Sequence, residues 1–283
     1  MPPFGAKLPS VTHSPRELRA LLADHGLEPS RALGQNFVAD ANTVRRIARL
    51  AGVGHEDHVV EIGAGLGSLT LALVETGAAV TAVEVDRHVL PVLRAVVEPE
   101  GVTVVEADAR RLDWAELLAG AESWCLVANL PYNIATPLVL DLLDDVPAID
   151  RMLIMVQAEV GERLAAVPGS RTYGLPSLKV AYWAHAEVVG RVPPSVFVPQ
   201  PRVDSALVRI VRRPAPAVPA DPDRLFALAK AAFGQRRKMV RRSLAGLVDD
   251  ERFAAAGVAP EARPEQLSIE DWGRLADPAG APR

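Results

Sequence analysis

VVEIGAGLGSLT (59–70) joins a short β-branched run to three glycines, Gly63, Gly65 and Gly67, and then to an apolar run with helical spacing. Glycine lets a chain turn where a Cβ would clash and lets backbone approach a ligand closely. A helix N-terminus directly after such a turn favours anionic groups. The spacing is Gly-x-Gly-x-Gly and lacks the last glycine of the dinucleotide-binding pattern. On its own the loop is also compatible with a tight strand-to-helix turn that holds nothing.

The flanking sequence widens the reading. HVVEI (58–62), AAVTAVEV (78–85), GVTVVEA (101–107), SWCLVA (123–128) and MLIMVQ (152–157) are strand-like, with helix-like segments near 68–76, 87–97, 112–119 and 134–144 between them. Such alternation predicts βαβ units and a mainly parallel α/β sheet with helices on both faces. In such sheets ligands bind at the carboxyl ends of the strands. Glu84 ends the second of these runs, 19 residues after Gly65, where it suits ribose hydroxyls. Asp108 follows the third run and suits an adenine amino group.

Before the alternation, SPRELRALLADH (14–25) reads as a helix with Ser14 and Glu17 in a capping box, 26–37 as an ordered loop, and Asp40 as the cap of a second helix. After it, 187–192 and 203–212 read as further strands. RRPAPAVPADP (212–222) carries four prolines and no period, which marks a linker, and 223–276 reads as wholly helical. The expected organisation is therefore an α/β domain over 1–213 with an N-terminal helical arm over 1–57, a linker over 214–222, and a small all-helical domain over 223–283.

With 283 residues, 49% of them apolar, the chain has material for a large core, and no apolar run approaches the ~18 residues of a membrane-spanning helix. No secretory signal is evident at the N-terminus, and the lone Cys125 makes no internal disulfide, so a reducing cytoplasm is expected. His13, His25, His55, His58, His88 and His185 have no metal-ligand spacing with that cysteine, and no metal is expected. No exposed apolar seam is evident, so a monomer is expected. The net charge of −4 speaks against a polyanionic partner only as an average. Residues 1–150 hold 11 basic and 21 acidic side chains, 151–242 hold 16 and 6, and 243–283 hold 4 and 8. Segment asymmetry of this kind suggests a polyanionic partner.

The fourth strand ends in Asn129-Leu130-Pro131-Tyr132. This element suits methylation of an amino group on a planar ring. The amine's lone pair is delocalised into the ring, and two acceptors on its N–H groups favour the pyramidal, nucleophilic form. The Asn129 side-chain oxygen and a main-chain carbonyl within Leu130–Pro131 are the candidate acceptors. Pro131 stiffens the turn, and Tyr132 stacks on the base. Catalysis of this kind is positioning plus oriented dipoles and needs no strong base. A ring amine is reachable only in an unstacked base. Phe197, in the proline-constrained run 192–205, is either the second wall of such a pocket or a core anchor.

With these residues in place the sequence resembles the rRNA adenine N6,N6-dimethyltransferase family over about residues 28–272. The landmarks are LGQNF (33–37), EIGAGLGSLT (61–70), VEVD (83–86), EAD (106–108), NLPY (129–132), QAEVGERL (157–164), VPPSVFVPQPRVDSALV (192–208) and AFGQRRKMVRRSL (232–244). The resemblance implies a Rossmann-like class I methyltransferase sheet and S-adenosylmethionine as methyl donor. It places Asn36 and Val38 at the donor's border, Gly63 under its methionine part, Glu84 at its ribose, Asp108 at its adenine, and Asn129 between donor and target. Val38 stands where leucine is common in relatives, and Gly161 where alanine is usual, which is expected to weaken that helix slightly. The implied substrate is a pair of adjacent adenosines in the terminal hairpin of 16S rRNA, within an immature small ribosomal subunit. Arg236, Arg237, Lys238, Arg241 and Arg242 are the expected RNA contacts; read as helical, Arg237 with Arg241 and Lys238 with Arg242 share a flank. Two other readings stay open at this stage: a relative of the resistance methyltransferases that act on one large-subunit adenosine, and a non-catalytic RNA-binding assembly factor.

Overall fold

The computed structural model describes residues 14–30, 32–131 and 134–277. Helix α1 (Pro15–Asp24) begins at a reciprocal cap: Glu17 N donates to Ser14 Oγ, and Ser14 N donates to Glu17 Oε2. Strand β1 (Phe37–Val38) follows the loop. Asp40 then caps α2 (Ala41–Ala51) by accepting from Thr43 N at 2.6 Å.

The alternation runs β2 (His58–Ile62), α3 (Ser68–Val74), β3 (Ala79–Glu84), α4 (Leu90–Val97), β4 (Thr103–Glu106), α5 (Trp114–Leu117), β5 (Trp124–Asn129), α6 (Ala135–Asp145) and β6 (Ile149–Gln157). It continues with α7 (Ala158–Leu164), α8 (Leu175–Trp183), β7 (Ala184–Val192), β8 (Phe197–Val198) and β9 (Ser205–Arg212). Seven strands form one sheet in the order β4-β3-β2-β5-β6-β9-β7. The pairs β2–β3, β2–β5, β3–β4 and β5–β6 are parallel. Neighbours Val59 and Val60 in β2, and Leu126 and Val127 in β5, are all fully buried. Successive strand residues point to opposite faces, so both faces of the central strands are covered. The order reverses between β3 and β5, either side of β2, which makes the carboxyl end of β2 the switch point where such sheets bind ligands.

The chain packs as two units, Met1–Gly161 with Val188–Ile210, and Glu162–Glu187 with Val211–Arg283. This grouping is not the linear division expected from the prolines. Residues 214–222 do not behave as a free linker, because Val218 and Ala220 are buried in the helical core. Ala217 N also donates to Tyr182 O, and Tyr182 Oη donates to Ala220 O. That core gathers α8 with α9 (Pro222–Phe233), α10 (Val240–Ser243), α11 (Asp250–Ala256) and α12 (Ile269–Ala276) around Phe253 and Trp272. Among the described residues, no helix is long and apolar enough to cross a membrane.

The expected helix through RRKMVRRSL is corrected. Residues 234–238 are turn and bend, and only Val240–Ser243 are helical. Met239 is extended, and Val240 N and Arg241 N donate to Ala262 O and Pro260 O instead of to carbonyls one turn back. Arg237 and Lys238 thus precede the helix, and the expected shared flanks do not form. Gly161 also differs from its expectation. A Cβ there would meet Ala206 Cβ and Val208 Cγ2 at 2.9 Å, so this glycine admits β9 close to α7.

Candidate active site

One cleft lies at the carboxyl ends of β2, β3, β4 and β5. Asn36, Val38, Gly63, Gly65, Glu84, Asp108, Asn129, Leu130 and Pro131 all line it. Parallel pairing is the reason. It carries Ile62, Val83 and Ala128 to one level and Glu84 beside Glu106, so loops that follow successive strands emerge on one edge.

The glycine loop is held by protein as much as shaped for a ligand. Gly65 has φ +58°, and a Cβ on it would strike the Phe37 ring at 2.9 Å. Gly67 has φ +85°, and a Cβ there would meet Val97 Cγ1 at 2.7 Å. Gly67 is not part of the cleft lining; it lets α3 start close against α4.

Glu84 is buried, and its carboxylate accepts Gly65 N at 2.8 Å and Val85 N and Asp86 N at 2.9 Å each. Burial holds it above the usual carboxylate range, against the opposing effect of these three N–H groups; the nearby Asp86 charge pushes the same way as burial. A carboxylate has about four acceptor positions. Glu84 therefore both pins the glycine loop and keeps acceptor capacity toward the cleft. Asp108 Oδ1 accepts Arg110 N at 3.0 Å, which fixes the carboxylate on the loop after β4.

At the end of β5, Asn129 Nδ2 donates to Asn36 O at 3.0 Å, and Leu130 N donates to Met155 O at 3.0 Å. Pro131 O accepts from Ile134 N and Ala135 N as the start of α6, whereas Leu130 O accepts from none of the described residues. Of the two candidate carbonyls, Leu130 O is thus the one without a hydrogen-bond donor among the described residues, and Asn129 and Leu130 both line the cleft. Tyr132 lies outside the described residues.

Of the two expected places for Phe197, the core is the one observed. Phe197 is 4% exposed, belongs to the core with Val38 and Val192, and does not line the cleft. Its backbone pairs with Val38 in the β1–β8 ribbon, so the chain uses it to back the loop that carries Asn36. The basic residues all lie in the helical unit. Arg236 is spent on Arg171 O at 2.8 Å and Glu265 at 3.8 Å, and Arg241 lies 3.7 Å from Glu261. Arg237, Lys238 and Arg242 are exposed, without an ion pair among the described residues.

Glu61 completes the cleft and was not singled out from sequence. It is 2% exposed, lines the cleft, and its Oε2 has no hydrogen-bond partner among the described residues. Burial pushes its carboxyl up to about 8, and the charge of Glu84 adds to this. The signal was visible as one acid within an otherwise apolar central strand, HVVEI.

The family model for ribosomal RNA adenine dimethylase matches residues 28–279. The chain belongs to the ribosomal RNA adenine dimethylase family. Ribosomal RNA small subunit methyltransferase A of Kineococcus radiotolerans is 49% identical, over 95% of this chain and 96% of the relative. The protein of that name from Streptomyces avermitilis is 46% identical, over 96% of each. Among solved structures, the 23S rRNA methyltransferase ErmE superposes with a TM-score of 0.65 at 26% identity, over 85% of this chain and 98% of that one. A dimethyladenosine transferase from Plasmodium falciparum superposes at 0.70 with 22% identity, over 83% and 94%, and shares the fold. The sheet is that of a class I methyltransferase.

The family's methyl donor is S-adenosylmethionine. The residues present fit it. The cleft offers carboxylates at Glu84 and Asp108 for hydroxyl and amino groups, and the buried Glu61 Oε2 in its lining has no hydrogen-bond partner among the described residues.

Proposed function

We propose that this chain transfers methyl groups from S-adenosylmethionine to the N6 amine of two adjacent adenosines in the 3′-terminal hairpin of 16S rRNA, adding two to each. The substrate is the rRNA of an immature small ribosomal subunit in the cytoplasm, and the enzyme acts as a monomer. The observation that carries this reading is the acceptor pair at the end of β5, Asn129 Oδ1 with Leu130 O, in the cleft that fits the donor.

S-adenosylmethionine supplies an electrophilic methyl group. Glu84 and Asp108 hold its ribose and adenine, Gly63 underlies its methionine part, and Asn36 and Val38 close its border. Asn129 Oδ1 and Leu130 O accept the two N–H groups of the target amine and draw its nitrogen out of conjugation. The nitrogen becomes acidic as it is alkylated, so its proton leaves without a strong base. After the first methyl, one N–H remains for one of the two acceptors. Tyr132 stacks on the flipped base. Arg237, Lys238 and Arg242, with Arg236 and Arg241 beside them, grip phosphates and set the register without reading bases.

The likeness to ErmE supports a second reading, methylation of one large-subunit adenosine. The small-subunit reading is preferred because the full-length relatives at 46–49% identity carry the small-subunit name. Primer extension on ribosomal RNA from a deletion strain separates the two. Loss of the methylation stop in 16S rRNA supports the proposal, and loss in 23S rRNA alone overturns it.

A further inference from the structure

The loop that walls the cleft over residues 33–38 is tied by the Gln35 side chain to the turn that follows β3. Gln35 Nε2 donates to Asp86 Oδ2 at 2.7 Å, and Gln35 Oε1 accepts Ser30 N at 2.7 Å. Gln35 N donates to Ser30 O at 3.1 Å, and Leu33 N donates to Ser30 Oγ at 3.2 Å. Asp86 is largely buried, and its other oxygen accepts His88 N at 2.9 Å. Asp86 N in turn donates to Glu84 Oε1. At the far end of the loop, Asn36 Nδ2 donates to Gly34 O, and Asn36 O receives Asn129 Nδ2. An unbroken succession of bonded residues thus leads from the carboxylate at the end of β3 to the amide at the end of β5.

The Gln35 amide fits only one way round. Turned over, its NH2 would face the Ser30 N–H and its oxygen would face the Asp86 carboxylate, replacing two hydrogen bonds by two repulsions. Its length, polarity and orientation are therefore all specified by partners 51 residues away and 5 residues away.

We infer that Gln35 and Asp86 form a clasp that positions the Asn36 carbonyl, and through it the Asn129 amide, whenever the donor cleft is formed. Neither side chain touches the reacting atoms; both are positioning residues. The inference rests on the methyl-transfer reading above, and it extends that reading to a coupling: the loop that covers the donor also sets the angle of the acceptor for the amine.

Three variants test it: Gln35→Glu, Asp86→Asn, and the two together. Gln35→Glu sets a carboxylate against Asp86. Asp86→Asn sets an amide N–H2 against Gln35 Nε2. In the double variant the central bond reverses: Asn at 86 donates to Glu at 35, Ser30 N still has its acceptor, and so does His88 N. Each single variant is expected to lower affinity for S-adenosylhomocysteine by ~tenfold or more in calorimetry, as loss of a charge-assisted hydrogen bond does. Each is also expected to lower single-turnover methyl transfer at saturating donor, which a merely structural role in the loop would leave unchanged. Amides 33–38 of the free protein should exchange faster in both. The double variant should return all three readouts to within about threefold of wild type, as expected for directly coupled residues.

Single variants that match wild type, or a double variant as impaired as the two singles multiplied, overturn the clasp. Should Gln35→Glu not fold, Gln35→Met keeps the side-chain length, loses both bonds without added charge, and must show the same loss. A wild type that binds S-adenosylhomocysteine but methylates no small-subunit RNA contradicts the functional reading instead, and the clasp is then decided on donor affinity and amide exchange.

Discussion

Asn129 Nδ2 donates to the carbonyl of Asn36 at 3.0 Å, across 93 residues of sequence. The bond tells the two ends of the amide apart and leaves Oδ1 as the end that the proposed mechanism assigns to the substrate amine. Asn129→Asp keeps an acceptor but places a second oxygen against Asn36 O. Methyl transfer is expected to fall ~100-fold or more, as on removal of one preorganised dipole. Affinity for S-adenosylhomocysteine should change only a few-fold. Single-turnover assays beside calorimetry measure both, and an Asp variant as fast as wild type would show that amide orientation is irrelevant.

Glu61 makes stability depend on pH. Its folded value of about 8 lies above its ordinary value of 4.5, so the folded protein holds a proton that the unfolded chain has lost. The favourable contribution is complete below the ordinary value and is lost as pH rises toward 8. Over that window wild type is expected to lose up to ~1.4 kcal/mol per pH unit relative to Glu61→Gln. Urea unfolding at pH 5 and pH 8 reads this directly. Parallel curves for the two proteins would remove Glu61 as the cause.

Charge reversal at Arg237 and Lys238 should weaken RNA binding ~tenfold or more at moderate salt and reduce the slope of log affinity against log salt by about 2. The two side chains stand in the turn before α10, exposed and without ion pairs among the described residues. Donor affinity should not move. Filter binding over a salt series gives the slope, and an unchanged slope would place the phosphate contacts elsewhere.

Gly161→Ala should destabilise the protein by ~1–3 kcal/mol, although alanine is the better helix former. The added Cβ would overlap Ala206 and Val208 of β9 at 2.9 Å. Thermal melts decide between this steric reading and the propensity one, under which the variant would melt higher.

The parallel sheet was legible because its signal is local. The first four strands of the alternation are short apolar, mostly β-branched runs, and at or just after their ends stand residues of distinct chemistry, Gly63, Glu84, Asp108 and Asn129. Family membership and fold class agree with that reading. What stayed hidden depends on distant partners. The β1–β8 ribbon is two residues per strand, so no period announces it. Helix α8, LPSLKVAYW, is apolar nearly all round and gives no amphipathic stripe, and its place in the second unit follows from packing against α9. The basic run has good helical composition, yet the carbonyls of Ala262 and Pro260 take the N–H groups of Val240 and Arg241, and the helix starts only at Val240. Phe197 satisfies a pocket and a core equally well on paper, and only burial places it in the core.

The most direct measurement is transfer of labelled methyl groups from S-adenosylmethionine to immature small subunits, with the modified nucleotides mapped, for wild type and Asn129→Ala. Wild type is expected to place two methyls on each of two adjacent adenosines in the terminal hairpin of 16S rRNA. Asn129→Ala is expected to bind donor and RNA but transfer essentially nothing. Label at any other nucleotide, or full dimethylation by Asn129→Ala, would contradict the account.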